Sequence, residues 1–167
     1  MEKFATDANK EGLRYLNKSA DNGLISAEEF FEAISNLTAA TKAETIEILV
    51  TSYHPEQAVF SYIRSLKPKY KIGLISNIGS PLKDYLPTAD LDVFDEQTLS
   101  YQVGVAKPDK RIFELHLAKT GTLPTEAVFI DDREVNALAA EGAGLHGICY
   151  KNLAQLKAEL SRLGVKA

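Results

Sequence analysis

From Met1 to about Lys67, apolar residues recur three and four positions apart: Phe30, Ile34 and Leu37, then Ile46, Leu49, Val50 and Tyr53, then Val59, Tyr62, Ile63 and Leu66. That spacing is the period of one buried helix face. Ser26 with Glu29 and Thr41 with Glu44 predict two capping boxes, Asp21-Asn22-Gly23 predicts a turn, and Pro55 suits the first turn of a further helix. This segment therefore reads as about four helices. After Tyr70 the pattern changes to short apolar runs separated by helical stretches. It predicts strands over 70–76, 98–103, 127–130 and 146–150, with helices over 81–86, 110–119, 134–141 and 153–163. Strands that are apolar almost throughout, alternating with helices, imply a parallel sheet covered on both faces. The expected class is thus α/β, with a helical segment over residues 1–67 and a Rossmann-like core over 68–167. The sequence has no internal repeat.

Open parallel sheets bind ligands at the carboxyl ends of their strands, so the residues that end each run carry the functional information. The run KIGLIS stops on Ser76-Asn77, two hydrogen-bonding side chains that a purely structural strand does not need. The second strand is followed by GVAKPDK, with Lys107, and the third ends FIDD, with Asp131 and Asp132. Each has an ordinary reading, as a turn or cap, a solvated loop and a helix N-cap. Gathered on one edge, a hydroxyl, an amide, an ammonium and paired carboxylates are what a phosphate accompanied by magnesium requires.

Composition narrows the classes. A chain of 167 residues that is 45% hydrophobic can build a core. A net charge of -4, with no basic cluster, argues against a nucleic-acid partner. No apolar run approaches the roughly 20 residues of a membrane span, and MEKFATDANKEG lacks a signal-peptide core, so the expectation is a cytoplasmic protein with no membrane partner. The single cysteine, Cys149, reads as a small buried hydrophobe in GICY. His116 shares a face with Phe113 and Leu117 and reads as a packed helix residue, His54 reads as a helix boundary, and Gly142 and Gly144 as the end of a helix.

LISNIGS, VGVAKPDKRIFE and FIDDREVNALAAEGAGLHGICY resemble, in order, the second, third and fourth motifs of the haloacid dehalogenase superfamily. These hydrolases are largely phosphatases with a Rossmann-like core and a mobile cap. The resemblance covers Tyr70 to the C-terminus, and the helical segment resembles an inserted cap. It implies that Ser76 and Asn77 hold phosphoryl oxygens, that Lys107 bridges phosphate and nucleophile, that Asp132 binds Mg2+ with support from Asp131, and that Asn136 orients the loop. The implied substrate is a small phosphorylated metabolite.

The family nucleophile stands in an Asp-x-Asp on a strand ahead of the cap, and this sequence has no such strand. Its one Asp-x-Asp, Asp90-Leu91-Asp92, follows no apolar strand. The expectation is therefore a truncated, split or inactive phosphatase relative with weak magnesium binding. The alternatives are a non-catalytic phosphate- or protein-binding relative and a dehalogenase-like enzyme. Paired Asp131-Asp132 argues against the last, because displacement at carbon needs no metal. Without the central strand, residues 70–76 and 127–130 are expected either to pair directly or to take up a strand from a second copy or a complementing N-terminal segment.

Overall fold

The computed structural model describes residues 5–51, 55–79 and 91–166. The predicted helix over 81–86, His54 and Asp90 lie outside them. Contacts divide the chain into two compact units. One comprises Met1–His54, Ser76–Thr88 and Leu99–Ala106, the other Pro55–Ile75, Ala89–Thr98 and Lys107–Ala167.

The first unit carries α1 (Lys10–Asp21), α2 (Ala27–Thr38) and α3 (Lys42–Thr51). Both predicted capping boxes form. The Ser26 backbone N–H donates to Glu29 Oε2 at 2.7 Å while Glu29 N–H donates to Ser26 Oγ at 3.2 Å, and Thr41 with Glu44 repeats the exchange at 2.8 and 3.3 Å. The amphipathic faces meet in a cluster of Leu13, Ala20, Phe30, Phe31 and Ile34, with Leu16, Ile46 and Leu49 against it. The segment after α1 turns at Gly23, whose backbone is left-handed (φ 68°) and lies against the Tyr101 carbonyl, leaving no room for a side chain.

The second unit contains α4 (Gln57–Leu66), β1 (Gly73–Ser76) and β2 (Glu96–Leu99), except that the last residue of each strand, Ser76 and Leu99, belongs to the first unit. The chain continues through α5 (Ser100–Val103), in the first unit, to α6 (Arg111–Thr120), β3 (Val128–Asp131), α7 (Glu134–Gly142), β4 (His146–Cys149) and α8 (Leu153–Arg162). Helix α4, which the sequence pattern groups with the helices before it, packs here: Leu66 and Tyr62 join Ile148, Leu156 and Leu160. It begins at Gln57, two residues later than Pro55 suggests. The strand expected over 98–103 is displaced. Pairing occupies Glu96–Leu99, and Ser100–Val103 coils into one helical turn closed by Gly104 at φ 69°.

β3 and β4 pair in parallel, Val128 opposite His146 through Asp131 opposite Cys149. β1 pairs with β2. The direct pairing of 70–76 with 127–130 does not occur, since β1 and β3 belong to different two-stranded sheets. The physical reason is Lys107. Its ammonium donates to the Ile75 carbonyl on β1 at 2.9 Å and to Asp131 on β3 at 2.7 Å, and strands drawn to about 4.8 Å apart would have to expel it. Layer contacts are close: a side chain at Gly147 would run into the Ala137 carbonyl of α7, and one at Gly73 into the imidazole of His116.

Candidate functional site

The loop before α6 is held locally. Asp109 Oδ1 accepts from the Arg111 backbone N–H at 3.0 Å and from Arg111 Nε at 3.1 Å, and Oδ2 accepts from Arg111 Nη2 at 2.7 Å. The Arg111 side chain pulls the Asp109 carboxyl down to about 2, with the Arg111 backbone N–H adding to it. Downstream, Phe113 is fully buried edge-on to Phe129 of β3, with ring centroids 4.8 Å apart. These anchors fix Lys107 where its stem is enclosed and its ammonium lies 5.3 Å over the Phe129 ring.

Asp131 ends β3 with its side chain only 7% exposed, and Lys107 is 12% exposed. Asp131 Oδ2 receives the Lys107 ammonium, while Oδ1 receives Asn136 Nδ2 at 2.8 Å and the Arg133 backbone N–H at 3.0 Å. Burial pushes the Asp131 carboxyl up, but hydrogen bonds from Lys107 and Asn136, the Lys107 charge and the Arg133 N–H together hold it below its ordinary value. Asn136 is 2% exposed, and its Oδ1 finds no donor among the described residues.

Of the residues singled out from sequence, Lys107, Asp131 and Asn136 therefore form one network. Asp132, the next residue in the chain, is exposed, and its carbonyl lies 3.7 Å from Cys149 Sγ. Cys149 is half-buried rather than buried. Ser76 and Asn77 are half-buried at the end of β1 and belong to the first unit. There the next residue, Ile78, is gripped by Ser100: Ser100 Oγ accepts from Ile78 N–H at 3.1 Å and donates to the Ile78 carbonyl at 3.3 Å. The sequence pattern alone does not single out Ser100 or Asp109. Their signals in the sequence are slight: Ser100 stands four residues before Gly104, and Asp109 two before Arg111.

Asp92, from the Asp-x-Asp spelling, is far from this chemistry in bonding terms. It pairs with Arg64 of α4 at 3.4 Å, and nearby Asp95 is tied to Ile72, at the amino end of β1. Lys107 engages β1 at Ile75, toward the carboxyl end.

Magnesium takes oxygen donors, and a strand-end carboxylate is of the right kind. The count is too small, however. Asp131 has both oxygens committed to Lys107, Asn136 and Arg133, which leaves Asp132, and among the described residues no three His, Cys, Asp or Glu side chains converge on a metal position. These residues do not by themselves fit a resident magnesium ion.

A family model described as haloacid dehalogenase-like hydrolase matches residues 4–144. The chain belongs to that family. D-ribitol-5-phosphate phosphatase from Bacteroides thetaiotaomicron is 26% identical over 160 residues, covering 84% of this chain and 74% of that protein. A solved HAD-like family hydrolase from Porphyromonas gingivalis superposes with TM-score 0.76 at 30% identity, covering 91% of this chain and 80% of that one. A HAD family enzyme from B. thetaiotaomicron, solved as a magnesium complex, shares the fold at TM-score 0.77 and 22% identity, covering 93% and 86%.

Proposed function

We propose that this chain carries the phosphate-recognition machinery of a phosphomonoester hydrolase for a small phosphorylated metabolite, and that it does not turn substrate over by itself. The observation that carries the reading is the buried Lys107–Asp131 pair at the carboxyl ends of β1 and β3. A lysine ammonium fixed against Asp131 and the Ile75 carbonyl is a positive charge that attracts an oxyanion, and partial burial strengthens that attraction. Ser76 and Asn77, which belong to the first unit, carry a hydroxyl and an amide, the donor types that bind phosphoryl oxygens. Asp132, exposed at the end of β3, is a weak ligand for magnesium beside a bound phosphate. The phosphatase relative and the magnesium-bound family structure support this chemistry.

Covalent phosphoryl transfer requires an attacking carboxylate and a second group to protonate the leaving alcohol, help worth roughly 10² to 10⁴ in rate for the acid alone. The sequence places no Asp-x-Asp at the end of an apolar strand. Turnover therefore needs a strand bearing that pair beside these residues. The test is twofold. The purified chain should bind inorganic phosphate, by ³¹P line broadening, with affinity reduced in Ser76→Ala and Lys107→Ala, and it should leave p-nitrophenyl phosphate intact with magnesium present. Absence of phosphate binding would sink the recognition role. Turnover that survives repurification and vanishes in Asp132→Ala would sink the claim of inactivity.

A further inference from the structure

We infer that Ser100 is a positioning residue for the Ser76–Gly79 segment that leaves β1, setting the backbone on which the phosphate donors of the proposed site stand. Ser100 is fully buried (0% exposed), and its hydroxyl is spent on one residue: it accepts from the Ile78 N–H and donates to the Ile78 carbonyl. A hydroxyl that closes both polar groups of a single residue fixes the orientation of the two peptide planes flanking it. One of those planes is the Asn77–Ile78 peptide. Ile78 is itself only 8% exposed, so loss of the hydroxyl leaves the polar groups of a buried residue without this partner or forces the segment to rearrange.

Ser100 is held in turn by its own surroundings. It opens α5 directly after β2, and that one-turn helix is closed by Gly104, whose N–H returns to the Ser100 carbonyl at 2.9 Å. The strand that pairs with β1 thus delivers the hydroxyl that orders the segment following β1. The role acts through Ile78 and involves no contact between Ser100 and substrate.

This inference rests on the proposed phosphate-recognition role, so its test has one arm independent of that role. In the full chain without phosphate, the Ile78 amide should exchange with solvent at least about ten-fold faster in Ser100→Ala than in the parent, while Ser100→Thr, which keeps the hydroxyl, stays within about three-fold. With inorganic phosphate as the probe, Ser100→Ala should weaken binding about ten-fold and Ser100→Thr should restore it. Thr98→Val removes another fully buried hydroxyl, one bonded to His116, and controls for lost stability. It should leave phosphate affinity unchanged. Unchanged Ile78 exchange in Ser100→Ala would overturn the inference whatever the parent binds, as would equal phosphate loss in Thr98→Val and Ser100→Ala. A parent that binds no phosphate, with Ile78 exchange accelerated as expected, would retain Ser100 as the brace of the segment and reject the phosphate role alone.

Discussion

Removing Asp131 should cost far more than a surface carboxylate does. Its side chain is 7% exposed and receives three donors, one of them the Lys107 ammonium at 2.7 Å, itself 12% exposed. Asp131→Ala deprives a largely buried ammonium of its carboxylate, a class of change worth about 3–5 kcal/mol. Lys107→Met keeps the stem against Phe129 and leaves Asp131 with the Asn136 and Arg133 donors, so it should cost less, about 2–3 kcal/mol. Because the two groups act as one unit, the double variant should fall short of the summed costs by about 1–3 kcal/mol. Urea unfolding of the parent, both singles and the double at pH 7 measures this. The Asp131 carboxyl lies below its ordinary value of 3.8 in the folded state, so the unfolded chain binds the proton more readily. That stabilisation is complete above the ordinary value and is lost as pH falls through the folded one. The acid limb of the stability profile below about pH 4 should therefore flatten in Asp131→Asn. Additivity within about 0.5 kcal/mol, or an unaltered acid limb, would refute the buried-pair account.

Gly147→Ala should destabilise the chain by about 1–3 kcal/mol in thermal or urea unfolding, because its methyl meets the rigid Ala137 carbonyl of α7. Gly73→Ala meets the imidazole of His116, a movable side chain, so its cost should shrink when His116→Ala is added. Asn152→Ala, which removes the acceptor for the Gln155 N–H at the start of α8, should cost about 1 kcal/mol by the same measurement. Burial lowers the His116 pKa, with Glu96 opposing and Lys119 adding. The unfolded state therefore protonates first, so stability should fall as pH drops from 6.5 toward the folded value, and His116→Gln should remove that slope.

Much of this architecture was legible because local and tertiary preferences agree. Ser26-x-x-Glu29 and Thr41-x-x-Glu44 form their boxes, and FIDD ends β3 as its apolar run requires. Where they conflict, tertiary context prevails. Residues 98–103 read as a strand, yet Ser100 is needed at Ile78 and Gly104 ends a helical turn, so pairing stops at Leu99. Residues 57–66 look like the helices before them, but Leu66 and Tyr62 bury against Ile148 and Leu156, partners more than 80 residues away that no local window contains. At the site, the residue types were visible while their division of labour was not. Asp131 and Asp132 are identical in sequence terms, and only the fold shows that one faces Lys107 while the other faces solvent.

That division governs how the chain should respond to magnesium. A ligand that binds only the folded state stabilises it by RT ln(1 + [L]/Kd). If Asp132 acts nearly alone, Kd is on the order of 10 mM, and about 10 mM magnesium adds RT ln 2, about 0.4 kcal/mol. A complete site with Kd near 10 µM would add about 4 kcal/mol at the same concentration. The two differ enough for urea titrations with and without magnesium to separate them. Asp131 cannot be recruited without surrendering its bond to Lys107, whose loss costs more than one additional carboxylate contact to a hydrated ion would return. The expected result is a stabilisation below about 1 kcal/mol that disappears in Asp132→Ala and persists in Asp131→Asn. A gain of several kcal/mol, or one that Asp131→Asn abolishes while Asp132→Ala does not, would reverse the roles assigned to these two neighbours.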